Sequence, residues 1–350
     1  MAFWLDIAGF VVKTLFIVAA LGALAALIAR LTRRDAARGR EIEIRSLNRR
    51  YDQMRDELDA EILDKKVWRS LAKARKREAK ITAKITAKAR AATLERKRVY
   101  VLGFEGDMMA SAVKRLGREI DAVLTVARPE TDEVVLRLQS SGGTVTGYGL
   151  AAAEVSRLRD HKIKVTVSVD QVAASGGYMM ACAGDKIVAA PFALIGSIGV
   201  VAQAPNLHRL LKKNDIDYEE LTAGEFKRSI SVLGEITPAG REHFLGKIED
   251  IHTAFKNFVA ERRPAADIAK VATGDVWLAS EAVSLGLVDA LSTGDDLIFR
   301  LRDEARLFEV AIVARKTLLQ QLRGGLGFEG SSTLAALGAI GKIFSAVRRD

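Results

Sequence analysis

The residues best suited to chemistry lie in one short turn, Ala173-Ala174-Ser175-Gly176-Gly177-Tyr178. A run typical of a β-strand, residues 164–169, precedes it, and a small-residue stretch with helical spacing follows it. A serine at a strand-to-helix turn exposes its hydroxyl at the carboxyl end of a sheet, where open α/β folds bind ligands. The two glycines let a substrate backbone approach, and their N–H groups point out of the first helical turn. The pattern indicates a nucleophile beside half an oxyanion hole, and a tight turn of small residues is the alternative.

A second glycine turn, Gln139-Ser140-Ser141-Gly142-Gly143, follows another predicted strand and precedes a predicted helix. Two glycines at a strand end again permit a backbone N–H to face a bound carbonyl. Together the two turns supply both donors of an oxyanion hole, each worth about 3 kcal/mol of barrier. A hairpin turn is the alternative, but the segment that follows has helical spacing.

A nucleophilic serine needs a base, and the chain contains four histidines. They are His161, His208, His243 and His252. None of them lies in a recognisable catalytic motif, so the sequence does not support a Ser-His-Asp arrangement. Lysine is the other solution, because burial without a countercharge lowers the pKa of a lysine from about 10.4. Lys227 lies beside a turn after a predicted strand, but from the residues alone it is one lysine of many.

The elements that must position these groups begin at Val99, where predicted strands start to alternate with helices. Such alternation indicates an α/β fold with a mostly parallel sheet. The predicted strands are 99–104, 133–138, 164–169, 186–190 and a short 218–221. The predicted helices are 109–126, 146–160, 175–183, 207–213, 238–262, 264–271 and 280–285.

The first 31 residues predict a transmembrane anchor. Residues 14–29 form an uncharged apolar run, and adding residues 9–12 gives the roughly 20 residues that span a bilayer, with Lys13 free to snorkel. A cleaved signal peptide is the competing interpretation. Five arginines between Arg30 and Arg40 follow, and the positive-inside rule would keep that side cytoplasmic. We therefore expect a single-pass protein of the cell inner (plasma) membrane.

Residues 32–98 predict a charged helical or coiled-coil arm, because residues 41–102 contain neither Gly nor Pro. The net charge of +10 is concentrated there: residues 65–98 hold 14 Lys or Arg and two acids. A solvated helix is the simplest interpretation, and attraction to anionic lipid is a second. Specific nucleic-acid binding is disfavoured, since interleaved aromatic residues are missing. The single cysteine, Cys182, excludes an internal disulfide and a CxxC metal site.

Several stretches resemble the signal-peptide-peptidase-A family of serine peptidases, and in particular its SohB branch. They are residues 100–107, 172–191, 195–203, 206–213, 222–227 and 271–274. The resemblance covers about residues 1–297 and implies a ClpP/crotonase-like spiral fold. It divides the chain into an anchor (1–31), an arm (32–98), a peptidase domain (99–300) and a C-terminal tail (301–350).

The resemblance also implies site residues. Ser175 matches the nucleophile and Lys227 the base of a Ser/Lys dyad, and Ser197 matches the serine that holds the lysine amine. Gly143 and the amide of Gly176 match the oxyanion donors. The family turn usually reads Ser-Pro-Gly-Gly, so Ser141 departs from it, at a cost we put at about 0.4–1 kcal/mol.

The expected function is that of a membrane-anchored serine endopeptidase that degrades residual signal peptides or other membrane-derived peptides. The resemblance implies that the enzyme uses neither a metal nor an organic cofactor. It also implies peptide substrates, contact with a lipid membrane and a homo-oligomer. Two alternatives stay open: a crotonase-like acyl-CoA enzyme and an inactive membrane scaffold. The side of the membrane that holds the catalytic domain also stays open.

Overall fold

A seven-stranded sheet organises the described part of the chain, residues 42–88 and 96–313 of a computed structural model. Its strand order is β1-β10-β2-β3-β4-β6-β9, and every neighbouring pair is parallel except β1–β10. A second, three-stranded sheet has the order β5-β7-β8. The strands are β1 (Ile42–Ser46), β2 (Arg98–Glu105), β3 (Glu133–Gln139), β4 (Lys164–Val169), β5 (Val172–Ala174), β6 (Lys186–Ala189), β7 (Leu194–Gly196), β8 (Val276–Leu278), β9 (Ala290–Leu291) and β10 (Arg306–Ile312).

Helices cover the sheets and connect their strands. They are α1 (Leu47–Ile62), α2 (Lys65–Lys88), α3 (Val113–Leu124), α4 (Val145–Asp160), α5 (Gly176–Cys182), α6 (His208–Lys213), α7 (Pro238–Arg262), α8 (Ile268–Val271), α9 (Ala279–Ala282) and α10 (Gly294–Glu304). The longest, α7, starts as its sequence predicts: the Thr237 hydroxyl accepts from Gly240 N, and Pro238 occupies the first turn.

The central strands are apolar nearly throughout because both faces of the sheet are covered. Alternate residues of β2 and β3 enter two separate cores. Leu102, Phe104 and Leu136 pack in the larger one, beside α3, α4 and α5. Val101 and Val135 pack in the smaller one, beside α10 and the start of α1. Burial on both faces explains why these strands could be read from their sequence.

The prediction of an α/β fold with a mostly parallel sheet is confirmed. Four of the five predicted strands are present, each within one residue of its predicted bounds. The fifth, at residues 218–221, is wrong: these residues form no strand, and the Leu221 side chain is 86% exposed. An alternating pattern forms a strand only where a sheet edge is there to pair with it.

The arm is not one long helix. Its first described residues form strand β1, and a break at Leu63 and Asp64 separates α1 from α2. Strand β1 pairs antiparallel with β10, with Ile42 opposite Ile312 and Ser46 opposite Phe308. One compact unit therefore runs from Ile42 to Ile312, so the main sheet takes a strand from each segment that flanks the predicted domain 99–300.

No helix in the described ranges is both long and apolar enough to cross a bilayer. The predicted anchor, residues 1–31, lies outside the described residues, as does the part of the tail from residue 314 onward.

Candidate active site

Ser175 stands between the end of β5 and the first turn of α5. Its backbone has φ 52° and ψ −123°, a conformation that a residue with a Cβ adopts only when its surroundings enforce it. The hydrogen bond from Ser175 N to Gly196 O, 2.8 Å long, is one such constraint. Strained backbone at a strand-to-helix turn is typical of a nucleophilic serine.

Ser197 occupies the equivalent position at the end of the neighbouring strand. Strands β5 and β7 are parallel, with Ala174 opposite Gly196, so Ser175 and Ser197 follow at adjoining strand ends. Ser197 also has φ 52°, and its N–H donates to Asp275 O at 2.6 Å. The two serines predicted as nucleophile and dyad support are thus brought to the same edge of the small sheet.

The two glycine turns meet at Ser175. A Cβ placed on Gly142, whose φ is +91°, would lie 2.7 Å from Ser175 Cβ and 2.9 Å from Gly176 N. In the described part of the chain, no group accepts a hydrogen bond from the N–H of Gly143 or of Gly176. Two unpaired amides on turns that touch beside a serine are what an oxyanion hole requires.

A buried hydrogen-bond network fixes the first of these turns. The Tyr148 hydroxyl donates to Asp107 O at 2.8 Å, so its oxygen is left to accept from the Ser140 hydroxyl at 2.6 Å. Ser140 Oγ in turn accepts from Gly142 N at 3.1 Å. Burial raises the pKa of Tyr148, which keeps the phenol protonated as a donor. Each donor in this series of hydrogen bonds has one acceptor, so the network fixes a single geometry for the turn.

Tyr148 also reaches the second turn. Its ring lies so close to Gly176 that a Cβ there would fall 2.4 Å from Tyr148 Cγ. One fully buried side chain therefore supports the turns that carry both predicted oxyanion donors. Sequence reasoning missed Ser140 and Tyr148, and the available signal was weak: a buried tyrosine hydroxyl needs a partner.

The hydrogen-bond network explains how the turn keeps its shape with Ser141 in place of the family's proline. Ser141 is exposed, whereas its neighbour Ser140 is buried and holds the turn through its hydroxyl. Thr144 N adds a 2.8 Å bond to Met108 O, which packs against Gly143. The turn is thus held by side-chain and backbone hydrogen bonds without a proline.

Lys227 is exposed on a turn, where its N–H donates to Gly224 O at 3.1 Å. Among the described residues its ammonium has no hydrogen bond and no ion pair, so the structure does not join it to Ser175. The surrounding segment, residues 200–236, exposes much apolar surface, including Val201 at 79%.

Two histidines lie near these groups. His252 Nε2 is 3.3 Å from the carbonyl oxygen of Ile198, the residue after Ser197. The His243 ring stacks on Phe226, with centroids 4.0 Å apart. Neither contacts Ser175 within hydrogen-bonding distance in the described residues. His161 is exposed and bonds to Arg157 O, and His208 starts α6.

Comparisons with known proteins identify the family of the chain. Peptidase family S49 matches residues 157–307, and the N-terminal part of peptidase family S49 matches residues 2–155. Probable protease SohB of Haemophilus influenzae is 55% identical over 223 residues, which are 64% of this chain and 63% of that protein. Probable protease SohB of Buchnera aphidicola subsp. Schlechtendalia chinensis is 41% identical over 303 residues, which are 85% of this chain and 99% of that protein.

Among solved structures, a ClpP1 mutant from Listeria monocytogenes aligns with 61% of this chain and 98% of its own at 15% identity and a TM-score of 0.36. The family matches together cover nearly all of the chain from residue 2 to residue 307, and they include both glycine turns and Ser175. The chain belongs to peptidase family S49, and within it to the SohB group of serine peptidases.

Proposed function

We propose that the protein is a membrane-anchored serine endopeptidase in which Ser175 is the nucleophile and Lys227 the base. The observation that carries the proposal is Ser175 on a strained turn, flanked by two glycine turns with free amides. The matched stretch is less than two thirds of the Haemophilus relative, so its name supports the reaction class but not a substrate. Residual signal peptides and other membrane-released peptides are the proposed substrates.

The mechanism follows from these positions. The neutral Lys227 amine takes the proton of the Ser175 hydroxyl as its oxygen attacks a peptide carbonyl. The amides of Gly143 and Gly176 stabilise the developing oxyanion, and Ser197 holds the lysine amine. Lysine then returns the proton to the leaving amine, and water hydrolyses the acyl-serine by the same steps. None of these steps requires a metal ion or an organic cofactor.

Two structural features support the expected partners. The two free amides beside Ser175 can hold the carbonyl oxygen of a bound peptide, which presents the scissile bond to the serine. Homo-oligomerisation would cover the apolar surface of residues 200–236.

A fluorophosphonate probe, with CoA-thioester turnover measured in parallel, tests the reaction class. We expect covalent labelling that maps to Ser175, peptide hydrolysis and no thioester turnover. Absence of labelling would favour an inactive scaffold. Thioester turnover would favour the crotonase-like enzyme, for which Lys227 has no role.

Anchoring in the inner membrane is tested by fractionation. Full-length protein should stay with membranes through a high-salt wash, and a chain that lacks residues 1–34 should enter solution. Recovery of the protein as a shortened soluble form would instead support a cleaved signal peptide.

The Tyr148 network predicts a separate effect on rate. Tyr148→Phe should lower kcat about tenfold with little change in KM, because a donor that is misplaced but not lost costs less than the 10²–10³ of a removed one. Ser140→Ala should do the same, and the double variant should be no worse than either single one, because both break the same chain of bonds.

Tyr178→Phe is the matched control, since it also removes a buried tyrosine hydroxyl, one that donates to Leu287 O at 2.9 Å. Both phenylalanine variants should lose similar thermal stability, but the Tyr178 variant should keep its kcat. A Tyr148→Phe enzyme with wild-type kcat would restrict Tyr148 to a structural role.

A further inference from the structure

Helices α1 and α2 form an arm that extends from the main sheet. Its base is fixed: Leu47 is buried, and the Tyr51 ring packs edge-on against Phe299 with centroids 5.5 Å apart. Farther out, Arg75 of α2 pairs with Asp56 and Asp59 of α1 at 2.8 and 2.7 Å. These ion pairs hold the two helices against each other. With 24 residues, α2 is about 36 Å long.

An apolar stripe runs along α2 next to the face that carries these ion pairs. Val67, Leu71, Ala74 and Ile81 recur at spacings of four, three and seven residues, which places them on one side of a helix. Val67 is 46% exposed, Leu71 37% and Ile81 58%. In the described residues this stripe therefore lacks the cover that an apolar helix face requires.

The rest of the helix surface is strongly basic. Helix α2 holds ten Lys or Arg residues and one acid, Glu78, a net charge of +9. Its lysines at positions 66, 73, 76 and 80 are exposed on one side and the back of the helix, turned away from the stripe. A helix with an apolar stripe on one side and lysines over much of its remaining exposed surface is typical of one that lies in the interface of an anionic bilayer.

We propose that α2 is a membrane-surface helix, whose stripe enters the headgroup region of a bilayer that contains anionic phospholipid. Its lysines would meet the lipid phosphates, and Trp68, beside the stripe, would sit at the headgroup level. Residues 32–41 join the proposed anchor to β1 and span at most about 36 Å when extended, which limits how far the start of β1 can lie from the anchor.

Two other occupants fit the observations less well. A second copy of α2 would bring +9 against +9 across the stripe, and like charges at such an interface are repulsive. A nucleic acid would match the charge but leave the apolar residues exposed. Anionic lipid satisfies both features with one partner.

A fluorescent label on the stripe tests the proposal in the full-length chain. Leu71→Cys carries an environment-sensitive dye in a Ser175→Ala background, so the result does not depend on peptidase activity. The native thiol does not compete, because Cys182 is buried and burial raises its pKa to about 12. Protein is reconstituted into vesicles of phosphatidylcholine alone or with phosphatidylglycerol. A dye at Glu242→Cys, exposed on α7, is the control position.

We expect the emission of the Leu71 dye to shift to shorter wavelength only in vesicles with phosphatidylglycerol, and the Glu242 dye to shift in neither. Reversing three α2 lysines should abolish the shift, since each lysine removed weakens lipid binding about fivefold. That variant is Lys73→Glu with Lys76→Glu and Lys80→Glu. The matched control reverses three exposed charges of α6: Arg209→Glu with Lys212→Glu and Lys213→Glu.

Glu78 gives a change in the opposite direction, because its carboxylate lies within the stripe. Glu78→Leu should enlarge the shift in anionic vesicles. An equal shift in both vesicle types would overturn the proposal, and so would a shift that grows with the protein-to-lipid ratio, which would indicate a second copy. A shift that needs added RNA and ignores lipid composition would overturn it as well.

Discussion

Replacing Ser175 by alanine should abolish peptide hydrolysis while the protein keeps its fold. The change removes one oxygen atom from a half-buried position, and the alanine Cβ meets the same backbone strain at φ 52° that the serine already bears. The hydrogen bond from residue 175 N to Gly196 O is a backbone bond and is retained. Thermal unfolding of the variant should therefore match that of the wild type.

The expected loss of kcat is about six orders of magnitude, the scale seen when a serine peptidase loses its nucleophile. Initial rates on one quenched fluorescent peptide give the measurement. Ser141→Ala is the matched control, because it removes a hydroxyl from the neighbouring glycine turn at an exposed position. Hydrolysis by the Ser175 variant at the wild-type rate would exclude the mechanism.

The parts of the fold that could be predicted are those with local signals. Strands β2, β3 and β4 are apolar runs because both faces are buried, and α7 has a threonine cap and a proline at its start. The signal for the turn at Ser175 is also local, because a serine and two glycines between a strand and a helix predict a tight turn.

The parts that could not be predicted depend on distant residues. Strand β1 lies in a run of charged residues, and it forms because β10, more than 260 residues later, offers an edge. The Tyr148–Ser140 network joins α4 to a strand end through side chains whose sequence neighbours give no sign of it. Ser175 and Ser197 lie at adjoining strand ends because β5 pairs parallel with β7, and the sequence of neither strand predicts that pairing.

Lys227→Arg should leave the enzyme nearly inactive although it preserves the charge. A base must release and regain a proton, and a guanidinium does not do so near neutral pH. The structure predicts that this substitution has little effect on stability. Lys227 is exposed and its ammonium has no partner among the described residues, so the change removes no packing and no hydrogen bond there. A loss of activity would therefore report on chemistry rather than folding.

The expected fall in kcat is about 10²–10⁴, the contribution of a general base. Lys227→His should keep a trace of activity if its ring reaches Ser175. Lys212→Arg, on the exposed face of α6, is the matched control and should behave as the wild type.

Wild-type activity in the Lys227→Arg enzyme would eliminate the dyad. Attention would then turn to His252, because its Nε2 lies 3.3 Å from the carbonyl oxygen of Ile198 and so beside the turn that carries Ser197. His252→Gln, measured on the same peptide, decides between the two bases. If Lys227 is the base, this variant loses at most the contacts with Ile198 and Glu249 and keeps most of its rate. If His252 is the base, the rate falls as far as expected for Lys227→Arg.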